Sequence, residues 1–153
     1  MKKTFYKKKF ISYCAVLIWM IVIFKFSSEP ANISDAKSRF AIDILNTLGL
    51  NLNTFIGKST NYIIRKIGHI TEYMILSILL FKALSFDFSK KKTLIYTFFL
   101  SVLYACSDEF HQTFILGRSG QFTDVLIDSL GILIGISAIY KLNKILLSKR
   151  QEY

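Results

Sequence analysis

Residues 107–128 read SDEFHQTFILGRSGQFTDVLID, and they set four acids, a histidine, an arginine and two glycines between two apolar runs. Upstream, Thr93–Cys106 carries no charge, and downstream Val125–Tyr140 carries only Asp128. Ionisable side chains held between such runs form either a solvated loop or the wall of a site. The flanking sequence decides between the two.

The 153 residues are one domain's worth of chain, and 52% apolar residues with 15% aromatics exceed the usual composition of soluble proteins. A membrane protein is expected. The net charge of +10 does not point to nucleic acid, because the basic residues cluster at the ends of apolar runs and do not interleave with aromatics on a polar surface. Cys14 and Cys106 lie near opposite ends of their runs. At about 1.5 Å of rise per helical residue they differ in depth by more than the roughly 7 Å that a disulfide can bridge. Free thiols acting as small apolar side chains are expected.

KKTFYKKK followed by FISYCAVLIWMIVIFKF fits both a signal peptide and a first transmembrane helix. SSEPANIS offers no small-x-small cleavage site, so the segment is read as a retained helix, with Lys25 snorkelling at its far end. Pro30 marks the exit, Ser34 is expected to cap a short helix, and Gly49 to end it. Within that helix Ala36, Phe40, Ile44 and Leu48 recur at fours opposite Lys37, Arg39 and Asp43, a pattern suited to the membrane surface or to packing over a bundle.

The run Ile63–Leu84 carries Arg65, Lys66, His69 and Glu72 in its first half. The next begins after Lys90, Lys91 and Lys92 and runs into Asp108; the last begins at Asp124 and closes on Lys141, Asn143 and Lys144. With the first run, these make four helices able to cross a bilayer, which needs about 17 to 25 residues. The expected fold is all-α, a polytopic bundle of about four transmembrane helices plus a short amphipathic extracytoplasmic helix. Residues 1–9 are read as a basic cytoplasmic N-terminus, 10–140 as the membrane domain and 141–153 as a basic cytoplasmic C-terminus.

Orientation follows from lysine and arginine near the helix ends. With both termini inside, thirteen of the twenty are cytoplasmic, six (Lys37, Arg39, Lys58, Arg65, Lys66 and Arg118) fall outside, and Lys25 sits at the outer edge. The polar ends of the last three runs then share the outer side. Residues three and four apart stack on one helical face. His69, Glu72 and Tyr73 make one such face, Tyr104, Asp108, His111 and Gln112 another, and Asp124, Asp128, Gly131 and Gly135 a third. The third joins a glycine-x-x-x-glycine spacing to two acids, so its helix can pack closely while aiming carboxylates into the bundle. Acids there are expected to pair inward with Lys66, Arg65, Arg118 or a histidine, since facing lipid is costly.

Histidine and carboxylates together permit general acid/base chemistry, with His69, Glu72, Asp108, Glu109, His111, Asp124 and Asp128 as candidates. No H-E-x-x-H occurs and no serine sits in a nucleophile elbow. No cofactor is expected; the residual metal reading is one divalent cation shared by His69 with Glu72 and Asp108 with His111. Lys66, Tyr73, Gln112 and Arg118 are the binding candidates, Arg118 and Lys66 being suited to an anionic headgroup.

RKIGHITEYMIL at 65–76, SDEFHQTFILGR at 107–118 and DVLIDSLGILIG at 124–135, in this order, resemble the three motif blocks of the VanZ-like family. The first helix, ending FKFSS, resembles that family's N-terminal span. The resemblance covers most of residues 10–140. It implies a small multi-pass bacterial membrane protein, in a family named for a member that lowers susceptibility to teicoplanin and related lipid-bearing glycopeptides. The partners so implied are membrane lipids and a lipid-linked cell-wall precursor or the lipoglycopeptide. The motif positions map onto Lys66, His69, Glu72, Tyr73, Asp108, Glu109, His111, Gln112, Gly117, Arg118, Asp124, Asp128 and Gly131, without departure. An enzyme acting on a lipid-linked or envelope substrate is the alternative activity that the same residues allow.

Overall fold

The computed structural model describes residues 2–49 and 59–149, with side chains as far as Leu142. Lys58, Arg150 and the side chains of Asn143, Lys144 and Lys149 lie outside the described residues. Five helices make up the described chain: α1 (Lys2–Ser27), α2 (Ala31–Thr47), α3 (Thr60–Leu84), α4 (Lys90–Gln112) and α5 (Phe122–Lys149). No strand occurs among the described residues.

Three stretches, Lys2–Ser27, Thr60–Leu84 and Phe122–Leu142, are long and apolar enough to cross a bilayer. The chain is therefore an all-α membrane protein. α4 has 23 residues but opens on three lysines and closes through Asp108 and Glu109, and it does not join that set. Leu17, Ile18 and Ile21 of α1, Phe99 and Leu103 of α4, and Leu130, Leu133 and Ile134 of α5 are exposed on the outside of the bundle. Water would leave such a belt uncovered, whereas acyl chains cover it.

The inside of α4 is small and polar. Thr93, Thr97, Ser101, Ala105, Asp108 and Gln112 recur at threes and fours and are all buried. Lipid is as apolar as leucine, so helices gain most from close packing and internal hydrogen bonds and place small residues at their contacts. Apolar bulk concentrates between α1, α3 and α5, where Val16, Ile23, Tyr73, Leu76, Leu80, Val125 and Ile132 form the core with Ala105 of α4.

The most intimate contact joins α3 to α5, which run parallel. A Cβ added at Gly131 would strike the backbone carbonyl of Ile70, and one at Gly135 the Ser77 hydroxyl and the Met74 carbonyl. Four contacts climb the two helices in step: Lys66 with Asp124, His69 with Asp128, Ile70 with Gly131, and Met74 and Ser77 with Gly135. At the opposite end of the bundle the Asp87 carboxylate in the α3–α4 turn pairs with Lys9 and accepts a 2.7 Å hydrogen bond from the Tyr13 hydroxyl. Those two contacts hold the Asp87 carboxyl below the ordinary carboxylate range. Lys90 stands over the Tyr140 ring at 4.1 Å, bringing the start of α4 to the same basic end.

α2 starts at Ala31, three residues before the expected Ser34 cap. Proline fits ahead of a helix because it lacks an N–H needing a partner. The Ala31 N–H donates to the Leu116 carbonyl at 3.2 Å, and Ser34 N–H already bonds to the Pro30 carbonyl at 3.1 Å, so the hydroxyl of Ser34 has no capping task. Gly49 follows the helix at φ +90°, as a terminator should. α2 packs on α3 through its Ser38 and Ile42 face, tied by Arg65 to Asp35, while Phe40, Ile44 and Leu48 point away from the bundle.

The close α3–α5 contact makes a direct prediction. Gly131→Leu must push α5 off a rigid backbone and should lower the unfolding midpoint in detergent by the equivalent of about 1–3 kcal/mol or more. Gly68→Ala, where a Cβ meets nothing within 4 Å, should leave that midpoint unchanged or slightly higher. Equal behaviour of the two variants would refute the close approach.

Candidate functional site

At the end of the bundle away from Asp87, α1, α2, α3, α4 and the α4–α5 loop enclose a cleft of ≈ 230 Å³. His69, Glu72, Asp108, Gln112 and Arg118 line it, so residues of two predicted faces and of the loop meet there. Its other walls are Phe26 and Ser27 at the end of α1, Glu29 just beyond it, Ser34, Lys37, Ser38 and Ala41 of α2, and Ile64, Arg65 and Gly68 of α3. Lys37 pairs with Glu29 and stands 5.0 Å from the Phe26 ring centre, so α2 forms a roof latched to the end of α1.

Arg118 organises this end. Its Nε donates to the Glu29 carbonyl at 3.0 Å, Nη2 to the Phe26 carbonyl at 3.1 Å, and Nη1 to Gln112 Oε1 at 3.3 Å. Carbonyls at a helix end lack intrahelical partners, and a guanidinium satisfies several at once with its fixed fork of donors. Burial, followed by the nearby Arg65 charge, pushes the Arg118 guanidinium below its ordinary value. Gly117 turns the chain at φ +74°, and a Cβ there would press on Ala31 Cβ at 3.1 Å. Beyond it, Gly120 lies against the Glu109 backbone carbonyl, closer than a Cβ could approach. The GRSG segment is therefore a tight fold over the α4 terminus, and a freely solvated loop is excluded.

Gln112 distributes donors to the acids of its own helix: Nε2 lies 3.3 Å from both Asp108 Oδ2 and Glu109 Oε1. Glu109 Oε2 accepts the Gln121 backbone N–H at 3.0 Å. Behind the cleft, His69 Nδ1 is 3.3 Å from Asp128 Oδ1, near enough to pair but misaligned for a hydrogen bond. Asp128 is 0% exposed and neither of its oxygens has a hydrogen-bond partner among the described residues. Lys66 is committed to Asp124, and it also faces the Tyr62 ring at 4.9 Å.

Six candidates do not line the cleft: Lys66, Glu109 and Asp128, placed above, and His111, Tyr73 and Asp124. His111 turns to α1, stacking on Phe24 with centroids 4.6 Å apart and lying 3.1 Å from Ser28 Oγ through Nε2. Tyr73 is fully buried in the core, its hydroxyl without a partner. Asp124 is buried beside the cleft in its pair with Lys66. Trp19 has the converse history. No motif singled it out, yet its indole N–H donates to the Glu72 carbonyl at 2.9 Å and fixes α1 against the cleft wall. The signal available was an aromatic donor inside an apolar run, which usually finds an acceptor when buried.

Arg118→Lys keeps the charge but loses the fork. It should lower the thermal midpoint in detergent by the equivalent of about 1.5–3 kcal/mol, the usual worth of hydrogen bonds from a charged donor. An unchanged midpoint would show that the guanidinium holds nothing in place.

Comparison with known proteins places this geometry. No curated protein and no solved structure matched the chain. A family model described as VanZ/LLP1 matches residues 10–146, which takes in most of α1, the cleft and all three motif blocks; the chain belongs to the VanZ/LLP1 family.

Proposed function

We propose that the chain crosses the bacterial membrane four times with both termini in the cytoplasm, and acts at the outer face to lower susceptibility to teicoplanin and related lipoglycopeptides. Family membership supports the role, and the segregation of the bundle into a basic end and a polar end supports the orientation. In this arrangement α4 joins α1, α3 and α5 as the third of the four spans, and the exposed Phe40, Ile44 and Leu48 stripe of α2 rests in the outer interface.

The observation that carries the reading is the cleft. It puts His69, Glu72, Asp108, Gln112 and Arg118 in one cavity of ≈ 230 Å³ under the α2 roof. That volume suits a headgroup-sized polar portion of a lipid-linked precursor and is below the usual ≈ 300–1,000 Å³ of drug-sized sites. A whole glycopeptide does not fit. Arg118, with two of its five N–H groups left over after the three bonds above, Lys37 and Arg65 are the lysine and arginine side chains that an anionic group would meet.

A second reading, a membrane enzyme acting on an envelope substrate, is favoured by one observation: His69, Glu72 and Asp108 share the cavity, so an imidazole and two carboxylates face the same ligand volume. Between the two histidines, His69 is the better acid/base candidate because His111 lies against Phe24. Asp108→Glu separates the readings. Loss of effect indicates demanding catalytic geometry, and retention indicates electrostatic binding.

The test of the role itself is teicoplanin and vancomycin susceptibility in a sensitive Gram-positive host. The host would express the native chain, His69→Ala or Glu72→Gln at matched membrane levels. The native chain should reduce susceptibility to teicoplanin far more than to vancomycin, and both variants should lose the effect. No difference between the native chain and an empty vector would reject the role.

A further inference from the structure

We infer that His69, Glu109 and Asp128 form a binding site for one divalent transition-series cation, of the Zn²⁺ class, bridging α3, α4 and α5 directly behind the cleft. This rests on the donor geometry and is independent of what the cleft binds.

One ligating atom from each of the three side chains lies within 4.8 Å of the others. Donors that share a cation at about 2.0–2.2 Å lie at most about 4.4 Å apart, a limit that small side-chain rotations from this span reach. The three come from three separate helices, so the grouping is a product of the bundle and not of a local turn. The donors also differ from the pairs that spacing suggested, because His111 is engaged with Phe24 and Ser28.

Asp128 supplies the independent observation. Its side chain is 0% exposed, both carboxylate oxygens lack a hydrogen-bond partner among the described residues, and its one ion-pair partner there is the imidazole of His69, whose Nδ1 is likewise buried without a hydrogen bond. Buried polar atoms are nearly always satisfied, and a carboxylate left bare in a membrane interior is costly. The cations nearby are engaged elsewhere: Lys66 with Asp124, Arg65 with Asp35, and three of the five Arg118 N–H groups with two carbonyls and Gln112. Four carboxylates (Glu72, Asp108, Glu109 and Asp128) thus crowd one end of the bundle without an ion pair to lysine or arginine among the described residues. A doubly charged ion at the centre of this group offsets that excess.

The donor types select the ion. Mg²⁺ and Ca²⁺ take oxygen ligands, whereas an imidazole with two carboxylates suits zinc and its first-row neighbours. Glu109 is already oriented by hydrogen bonds from Gln112 and Gln121, as supported metal-binding carboxylates are. Three protein donors leave at least one coordination position open. His69 also lines the cleft, so a cation held by it sits beside the ligand volume.

The full chain, purified in detergent and stripped with chelator, would be titrated calorimetrically with Zn²⁺ and separately with Ca²⁺, with Co²⁺ absorption as a spectroscopic report of the ligand set. Saturable binding of about one Zn²⁺ per chain is expected, without comparable Ca²⁺ binding. Asp128→Asn and Glu109→Gln should each weaken it by at least the ten- to hundredfold that loss of a mere supporting contact costs. His111→Ala should leave it intact. Because a variant can fail to fold, the native chain supplies a second measure: Zn²⁺ should raise its unfolding midpoint, and chelator should reverse the rise. Absence of saturable Zn²⁺ binding and of any midpoint shift overturns the site, as does binding that survives Asp128→Asn but is lost in His111→Ala.

Discussion

The contact on which the rest depends is the backbone-to-backbone approach of α3 and α5 at Gly131 and Gly135. In water a bundle of this size is held by burying apolar surface; in lipid that force between helices is absent, and close packing with internal polar contacts replaces it. The two glycines let α5 settle onto the carbonyls of Ile70 and Met74. Everything at the polar end inherits its position from that fit. One turn above Gly131, Asp128 has nowhere to go but against His69, and a further turn up Asp124 meets Lys66. The same parallel run that stabilises the fold therefore aligns the acids of one helix with the bases of the other.

Around this pair, the remaining elements close the site by using backbone groups as much as side chains. Arg118 reaches from the α4–α5 loop to the carbonyls of Phe26 and Glu29, and the Leu116 carbonyl takes the first amide of α2. Unpartnered backbone groups are what a bilayer tolerates least. Here they fasten α1, α2 and the loop into one wall. The cleft is thus a by-product of satisfying helix ends, with α2 held over it by two ion pairs, Lys37 with Glu29 and Arg65 with Asp35.

Much of this was legible in the sequence and some was not, for identifiable physical reasons. The face made by Asp124, Asp128, Gly131 and Gly135 is read from spacing alone because all four residues meet a single neighbour, α3. The α4 face is harder, since that helix touches several partners. His111 and Gln112, adjacent in sequence, differ by about 100° around a helix, and they go to different ones: Gln112 to the acids and cleft, His111 to Phe24. Tyr73, just over one turn from His69 and next to Glu72, faces the core for the same reason. The contributions of Phe26, Glu29 and Lys37 leave no local pattern because they arise from chain segments far apart in sequence. For α2 the spacing left two placements open, the membrane surface or packing over the bundle. Its apolar series was visible, but the series faces outward, and the face that packs is the less apolar one carrying Ser38 and Ile42.

The hydrogen bond from Trp19 to the Glu72 carbonyl has an optical consequence. Trp19 is the chain's single tryptophan, so its tryptophan emission originates at one point, directly behind the Glu72 wall of the cleft. Indole fluorescence shifts with the polarity and hydrogen bonding of its surroundings. The molecule thus carries, without any label, a reporter whose colour registers water, lipid or ligand reaching the back of its own polar site.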